Sequence, residues 1–417
     1  MERAATTGVV SGALAAESGT MLMEVLRRTH LSPPHELPEI LAAEARRIGV
    51  SALVLYLVDL EQQLLTPVPA PDAAGREPLA VQGTIAGRTY TSSQILETEL
   101  SEGRRLWVPL MDGTERLGVV EMVLADPGPV APETIVVCER YAHFAAMLLV
   151  TKDGYSDVFK RLRRRAPLTT ATELLRELVP PTVIATDDFV LGAMLEPAYD
   201  LGGDAYDYAL DGDVLHAGIF DGVGHGLAAA GVTTFALAVY RQRRRVGASL
   251  ADAYRSIDEE VAEQYPDNRY VTACLMQLDV REGVLRWISA GHPSPLLVRG
   301  GKFIKELEVQ RVPPMGLRLA GGPPVTGEVA LEPGDMVLLY TDGLTEARRP
   351  DGALFTTMRL AEFLERQAGS GDAAPDTLRR LREAIISTNE GRLRDDATAL
   401  LIEWRRDSQK ALLPQTV

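Results

Sequence analysis

Cysteine is almost absent from this 417-residue chain, which holds only Cys138 and Cys274. So far apart in sequence, they supply neither a disulfide framework nor the paired spacing of a thiolate metal site, and a reducing cytoplasm is the expected setting. Long apolar runs are scarce too. The longest largely apolar stretch, "GLAAAGVTTFALAVY" (226–240), has 15 residues, short of the about 20 that a bilayer-spanning helix needs. The first residues, "MERAATTGVVSGALAAESGT", lack the basic start and unbroken apolar core of a signal peptide, so no membrane association is expected. Lysine occurs only five times within a Lys+Arg total of 43, against 58 Asp+Glu, giving a net charge of −15. That balance argues against a nucleic-acid partner, which selects basic surfaces. Few lysines and much alanine fit the coding bias of a GC-rich bacterium.

Several catalytic signatures are missing as well. There is no G-x-S-x-G elbow, no phosphate-binding G-x-x-x-x-G-K-[ST] and no dinucleotide fingerprint. Arg281 follows Cys274 by seven residues, one too many for the phosphate loop of a cysteine phosphatase. Apolar residues make up 46% and charged residues 24%, ordinary for globular protein, and the length suggests two domains or three.

The chain divides by texture. Residues 1–20 read as a disordered tail. "MLMEVLRRTH" and "ELPEILAAEARRIG" carry helical periodicity, "VSALVLYLVDLEQQLLTPV" reads as strand, turn and strand, and 104–125 reads as a hairpin turning at "MDGTER". Residues 132–152 read as a helix, within which His143 is a packing residue. Over 21–151 this order, and "LWVPLMDGTERLGVVEM" in particular, resembles a GAF domain, a small α/β sensory module. Residues 152–187 read as a helical linker: "KRLRRR" is a solvated face, Thr170 with Glu173 forms a capping box, and Pro180 and Pro181 stop the helix. Its first-helix-of-the-next-domain reading stands equally open. From 188 to 405 strand-like runs dominate, with tight turns at "LDGD" (210–213) and "VREG" (280–283). Helices are expected at 226–244, 248–264, 357–368 and 375–388. Hairpin-linked strands with helices in pairs predict an α+β sandwich. Residues 406–417 read as a tail.

Four acidic residues stand where a strand meets a turn: Asp204 in "LGGDAYD", Asp221 in "FDGVGHG", Asp342 in "YTDGL" and Asp395 in "RDDATALL". One Asp-Gly is usually only a turn. Four carboxylates that converge need a cation, because otherwise they repel and lose solvation. An all-oxygen set suits hard ions such as Mg²⁺ or Mn²⁺. Two such ions clamp a phosphoryl group and lower the pKa of a bound water, giving hydrolysis without a protein nucleophile.

"EPAYDLGGDAYDY", "FDGVGHGLAAA", "SAGHPSPLLV", "YTDGLTEAR" and "DDATALL", in this order and spacing, resemble the SpoIIE-type branch of the PPM phosphatases, metal-dependent protein serine/threonine phosphatases. The resemblance spans about 188–404. It implies an αββα sandwich with two Mn²⁺ or Mg²⁺ ions at one end. Asp221 would bridge the ions and the Gly222 carbonyl would be a ligand. Asp204 would be a ligand from the first strands, and Asp342 and Asp395 ligands of the other ion. Gly203, Gly343 and Asp396 would support them, with Asp396 on the opposite face of its strand. No side chain is expected to act as nucleophile. Where animal relatives carry a histidine after the Asp-Gly this chain has Val223, and His225 is the nearest proton-donor candidate, read mainly as structural. His292 in "AGHPSP" also reads as structural. The resemblance further implies a cytoplasmic homodimer acting in partner switching on a phosphorylated STAS-domain anti-anti-sigma protein. Two rival readings are a non-catalytic phosphoprotein-binding scaffold and a metal-dependent nucleotide hydrolase.

Overall fold

The computed structural model describes residues 17–101, 103–126, 128–319, 324–347, 354–370, 372–388, 393, 395–406 and 408–413. Two compact units emerge: Met1–Arg165 with Lys410–Val417, and Ala166–Gln409.

The first unit opens with helix α1 (residues 17–29), which starts inside the stretch read as a tail; residues 1–16 of that tail lie outside the described residues. Next come α2 (Leu37–Ala45), β1 (Val50–Val58), β2 (Leu64–Pro67), β3 (Leu79–Ala80), α3 (Ile85–Ser92), β4 (Leu96–Glu99), β5 (Arg104–Asp112), β6 (Glu115–Leu124), α4 (Pro132–Asp153) and α5 (Asp157–Leu162). The strands form one antiparallel sheet in the order β3-β2-β1-β6-β5-β4. Strand β1 is apolar almost throughout because both its faces are covered. Leu53, Leu55 and Leu57 join the core with α1, α2, α4 and α5, whereas Val54, Tyr56 and Val58 join a second core with Tyr90 of α3. Helix α4 has the length and hydropathy to cross a membrane. It is longer than the apolar run 226–240, and its Cys138, Tyr141, Ala142, Ala145 and Leu149 are packed in the first core.

The basic run does not remain a free face. Arg163 donates from Nε to the Val58 carbonyl at 3.1 Å, and its own carbonyl accepts from Leu60 N–H at 3.0 Å. Arg165 Nη1 reaches Glu61 at 2.5 Å and Gln63 at 2.8 Å. The chain thus leaves this unit fastened to the β1–β2 turn.

The second unit contains α6 (Thr170–Leu178), β7 (Val183–Ala185), β8 (Phe189–Glu196), β9 (Asp204–Asp211), β10 (Val214–Gly222), α7 (Gly226–Arg245), α8 (Leu250–Gln264), β11 (Val271–Asp279), β12 (Val284–Ala290), β13 (Leu296–Arg299), β14 (Lys302–Glu306), β15 (Gly327–Ala330), β16 (Asp335–Tyr340), α9 (Asp342–Glu346), α10 (Thr357–Ser370), α11 (Ala374–Thr388) and β17 (Ala397–Trp404). Two antiparallel sheets, β15-β12-β11-β10-β9 and β14-β13-β16-β17-β8-β7, stack face to face. Helices α7 and α8 pack on the first, α10 and α11 on the second. This is the αββα sandwich expected. The stretch 152–187 is shared out: Phe159 of α5 belongs to the first unit's core and Leu175 of α6 to the second's. The cap of α6 is Thr169, whose hydroxyl accepts from Thr172 N–H at 3.2 Å, not Thr170 as the capping-box pattern suggested.

Candidate active site

The carboxylates gather at one end of the sandwich because strands from both sheets end there. Strand β9 begins at Asp204, and antiparallel pairing sets Asp204 directly opposite Asp221 on β10. Directly opposed residues share a sheet face, with their Cβ atoms about 4.5–5.5 Å apart. Asp204 is 2% exposed. Its Oδ2 accepts from the hydroxyls of Thr341, which follows β16, at 2.7 Å and of Thr398 on β17 at 2.6 Å. One carboxylate of the first sheet is therefore held by a side chain of the second sheet and by the residue that follows one of its strands. Thr341 and Thr398 were not singled out in the sequence, where a threonine near a strand end is commonplace.

Asp396 is fully engaged. Its Oδ2 accepts from the main-chain N–H groups of Gly202 and Gly203, each at 2.7 Å, and of Asp204 at 3.0 Å. It fixes the loop that delivers Asp204. Its neighbour Asp395 is exposed, and the Asp395 Oδ1 accepts from Asp396 N–H at 2.9 Å. Asp342 is also exposed, at the start of α9.

The glycines have steric reasons. A Cβ on Gly343 would lie 1.8 Å from the Asp396 carbonyl oxygen, so only glycine lets the first turn of α9 meet the start of β17. A Cβ on Gly203 would lie 2.6 Å from the Gly222 carbonyl oxygen. At Gly222 helix α7 stands in the way, with a Cβ falling 2.3 Å from Thr233 Oγ1 and 2.8 Å from the Ala229 carbonyl oxygen. Thr233 in turn donates to the Gly203 carbonyl at 2.5 Å.

Burial and mutual repulsion raise the pKa values. Asp204 is pushed well above the carboxylate range by burial, then by Asp221 and Asp396, against the pull of the two threonine hydroxyls. Asp221 rises to about 7 through burial and the charges of Asp342, Asp395 and Asp396. Asp342 is raised by desolvation, Glu346 and Asp395. Burial raises Asp396 as well, while its three N–H partners pull the other way.

The two histidines differ. His292 is buried, with Nδ1 2.9 Å from the Thr272 hydroxyl, and burial lowers its pKa to about 3. Thr272 is the β11 residue opposite Asp221, so His292 ties the "GHP" turn to the site's flank. His225 is exposed at the N-cap of α7 and makes no capping hydrogen bond with its side chain.

The all-oxygen donor set and the like-charge crowding at Asp204 and Asp221 both fit a hard divalent cation. The side chains stand open: among the described residues no three His, Cys, Asp or Glu side chains group closely enough to hold an ion by themselves. Mg²⁺-type ions keep several waters, so an open carboxylate set remains chemically compatible with them.

Comparison with known proteins agrees. Residues 211–405 match the family model described as Stage II sporulation protein E (SpoIIE). The chain is 23% identical over 269 residues to Protein IcfG of Synechocystis sp., covering 58% of this chain and 42% of that protein. It is 20% identical over 300 residues to the phosphoserine phosphatase RsbU of Bacillus subtilis, covering 69% and 85%. Among solved structures, the RsbU and RsbW domains of Rv1364c from Mycobacterium tuberculosis align at 30% identity with a TM-score of 0.46, covering 55% of this chain and 63% of that one. The chain spans less than half the length of IcfG. With the sandwich and the motif order already in place, the C-terminal unit is similar over residues 211–405 to the SpoIIE phosphatase family.

Proposed function

We propose that this protein is a metal-dependent phosphatase of phosphoserine or phosphothreonine on a regulatory protein. The observation that carries the reading is the Asp204–Asp221 pair at the mouth of the sandwich, with Asp342 and Asp395 nearby in the electrostatic field of Asp221. Asp204, Asp221, the Gly222 carbonyl, Asp342 and Asp395 would hold two Mn²⁺ or Mg²⁺ ions. When bound, these would supply activation of water and neutralisation of phosphoryl charge. The chain's own work is positioning. Asp396 holds the 202–204 loop, Thr341 and Thr398 orient Asp204, and Gly343 brings α9 against β17. Both cysteines are buried with thiol pKa values pushed up to about 12, which disqualifies them as thiolate nucleophiles.

The kinship with RsbU supports a place in partner switching, with a phosphorylated STAS-domain protein as substrate. A cytoplasmic homodimer fits the same reading. The first unit would act as a GAF-like sensor through its exit segment. Arg163 and Arg165 fasten the chain to the β1–β2 turn. Thr172 of α6 accepts from Leu201 N–H at 2.8 Å and donates to the Tyr199 carbonyl at 3.2 Å, beside the Asp204 loop.

One observation favours the rival, a non-catalytic scaffold: the carboxylates do not close on a common point. Hydrolysis of p-nitrophenyl phosphate by the full chain separates the two readings. Activity that appears with Mn²⁺ and vanishes on chelation supports the phosphatase; no activity at saturating Mn²⁺ supports the scaffold. Assays on phosphorylated STAS proteins then test the substrate class. Comparing Mn²⁺ titrations of the full chain and residues 168–417 tests the gating, which identical metal affinity and turnover would refute.

A further inference from the structure

A second site lies away from the carboxylates, at the side of the sandwich where the outermost strands of the two sheets face each other. Strand β14 is the last strand of one sheet and β15 the last of the other. A cleft of about 560 Å³ opens along them. Trp287, Phe303 and Leu307 give it an apolar lining. Trp287 lies on β12 in register with Gly327 of β15. A Cβ on Gly327 would fall 2.5 Å from the indole ring, so glycine is what lets β15 lie flat against the tryptophan. Trp287 is 4% exposed, and its indole N–H, shielded from solvent, has no acceptor among the described residues. A buried donor without a partner is costly and marks a place where an acceptor is wanted.

The charges along the cleft are unbalanced. One Lys, Lys305, lines it beside three Glu: Glu306, Glu308 and Glu328. Glu328 already pairs with Arg286 at 2.7 Å, whereas neither Glu306 nor Glu308 has an ion-pair partner among the described residues. Among the described residues strand β15 is paired on one side only, through its four residues with β12. An open strand edge is a template for an incoming extended chain, in which main-chain hydrogen bonds supply affinity and alternate side chains supply specificity. On β14 the Phe303 N–H is already taken by Glu365 at 2.7 Å, so β15 is the edge left for pairing.

We propose that this cleft docks an extended, basic segment of a partner protein. The segment adds to the edge of β15, seats an apolar side chain against Trp287 and Phe303, and presents Lys or Arg side chains to Glu306 and Glu308. The site is separate from the carboxylates, and its occupancy does not depend on the phosphatase reading.

The test uses the full chain labelled with ¹⁵N-tryptophan. It has three indole N–H resonances, from Trp107, Trp287 and Trp404, and Trp287→Phe identifies the one of interest. The probes are a capped hexapeptide alternating valine and arginine and its counterpart alternating valine and glutamate. The arginine peptide is expected to shift the Trp287 resonance saturably and the glutamate peptide to leave it unmoved. Glu306→Gln with Glu308→Gln should weaken binding roughly fivefold, as the loss of two rim charges allows, without changing p-nitrophenyl phosphate turnover. An unmoved Trp287 resonance at millimolar arginine peptide, an equal response to the glutamate peptide, or unchanged affinity in the double variant would each overturn the proposal.

Discussion

Asp207→Ala tests how the strand bearing Asp204 is anchored. Asp207 lies on β9 three residues beyond Asp204 and is 1% exposed. Its Oδ1 accepts from Arg241 Nη2 at 2.7 Å and Nε at 3.1 Å, and its Oδ2 from Arg244 Nη1 at 2.6 Å. Arg241 Nη2 also donates to the Leu178 carbonyl at the end of α6, at 2.5 Å. Removing the carboxylate strands two guanidinium groups, of which Arg244 is almost wholly enclosed. Breaking a buried pair by deleting one partner costs about 3–5 kcal/mol. For a unit of this size each kcal/mol is worth about 2–4 °C, so a fall of roughly 6–20 °C in its Tm is expected. The fluorescence of Trp287 and Trp404 reports on this unit, in a background where Trp107, which belongs to the other, is replaced by Phe. If β9 shifts, the Mn²⁺ concentration for half-maximal activity should also rise, with turnover largely recovered at saturating metal. A loss under about 1 kcal/mol would mean that water solvates both arginines in place, and the anchoring argument would fail.

Asp221→Asn and Asp342→Asn should each cost at least on the order of 10²-fold in Mn²⁺-dependent hydrolysis, since unaided phosphate monoester hydrolysis is extremely slow; near-normal rates at saturating Mn²⁺ would refute the ligand assignment. Cys138→Ala with Cys274→Ala should leave activity intact, and a dead but stably folded double variant would point to a thiol mechanism. His292 titrates near 3 when folded and near 6.5 when unfolded, so below pH 6.5 the unfolded chain binds a proton that the folded chain refuses. Its contribution is therefore present above pH 6.5 and lost as pH falls toward 3, about 2 kcal/mol by pH 5; denaturant titrations of His292→Gln should show a flatter acid limb, and an unchanged slope would contradict this. Gly343→Ala should destabilise the second unit severely, because the added methyl meets backbone and not a movable side chain; a wild-type denaturation midpoint would refute that packing.

Much of this arrangement was legible in the sequence because it rests on local rules. The turns at 210–213 and 280–283 separate β9 from β10 and β11 from β12, and the four expected helices of the second unit are present with small differences in length. Asp395 and Asp396 both precede β17 and differ in burial: Asp396 is buried against the 202–204 loop, whereas Asp395 is exposed. Strands β7 and β15 have only three and four residues and were too short to register as patterns. The threonine partners of Asp204 escaped notice for another reason. Hydroxyls from β17 and from the residue that follows β16 meet one carboxylate across 194 and 137 residues of chain, and no periodicity encodes such a meeting. The reason for Gly222 was likewise tertiary, set by the approach of α7.

The double hold on Asp204 also has a mechanical consequence. Because the carboxylate belongs to one sheet and its hydroxyl donors lie on and just beyond strands of the other, a slip of one sheet across its partner would appear as a change in those two bonds. The sandwich would then work like a vernier, in which a small displacement spread over many apolar contacts is read at a single acidic group. Substitutions deep among the leucines and valines between the sheets, far from any charge, would accordingly tune this end of the molecule as finely as changes beside it.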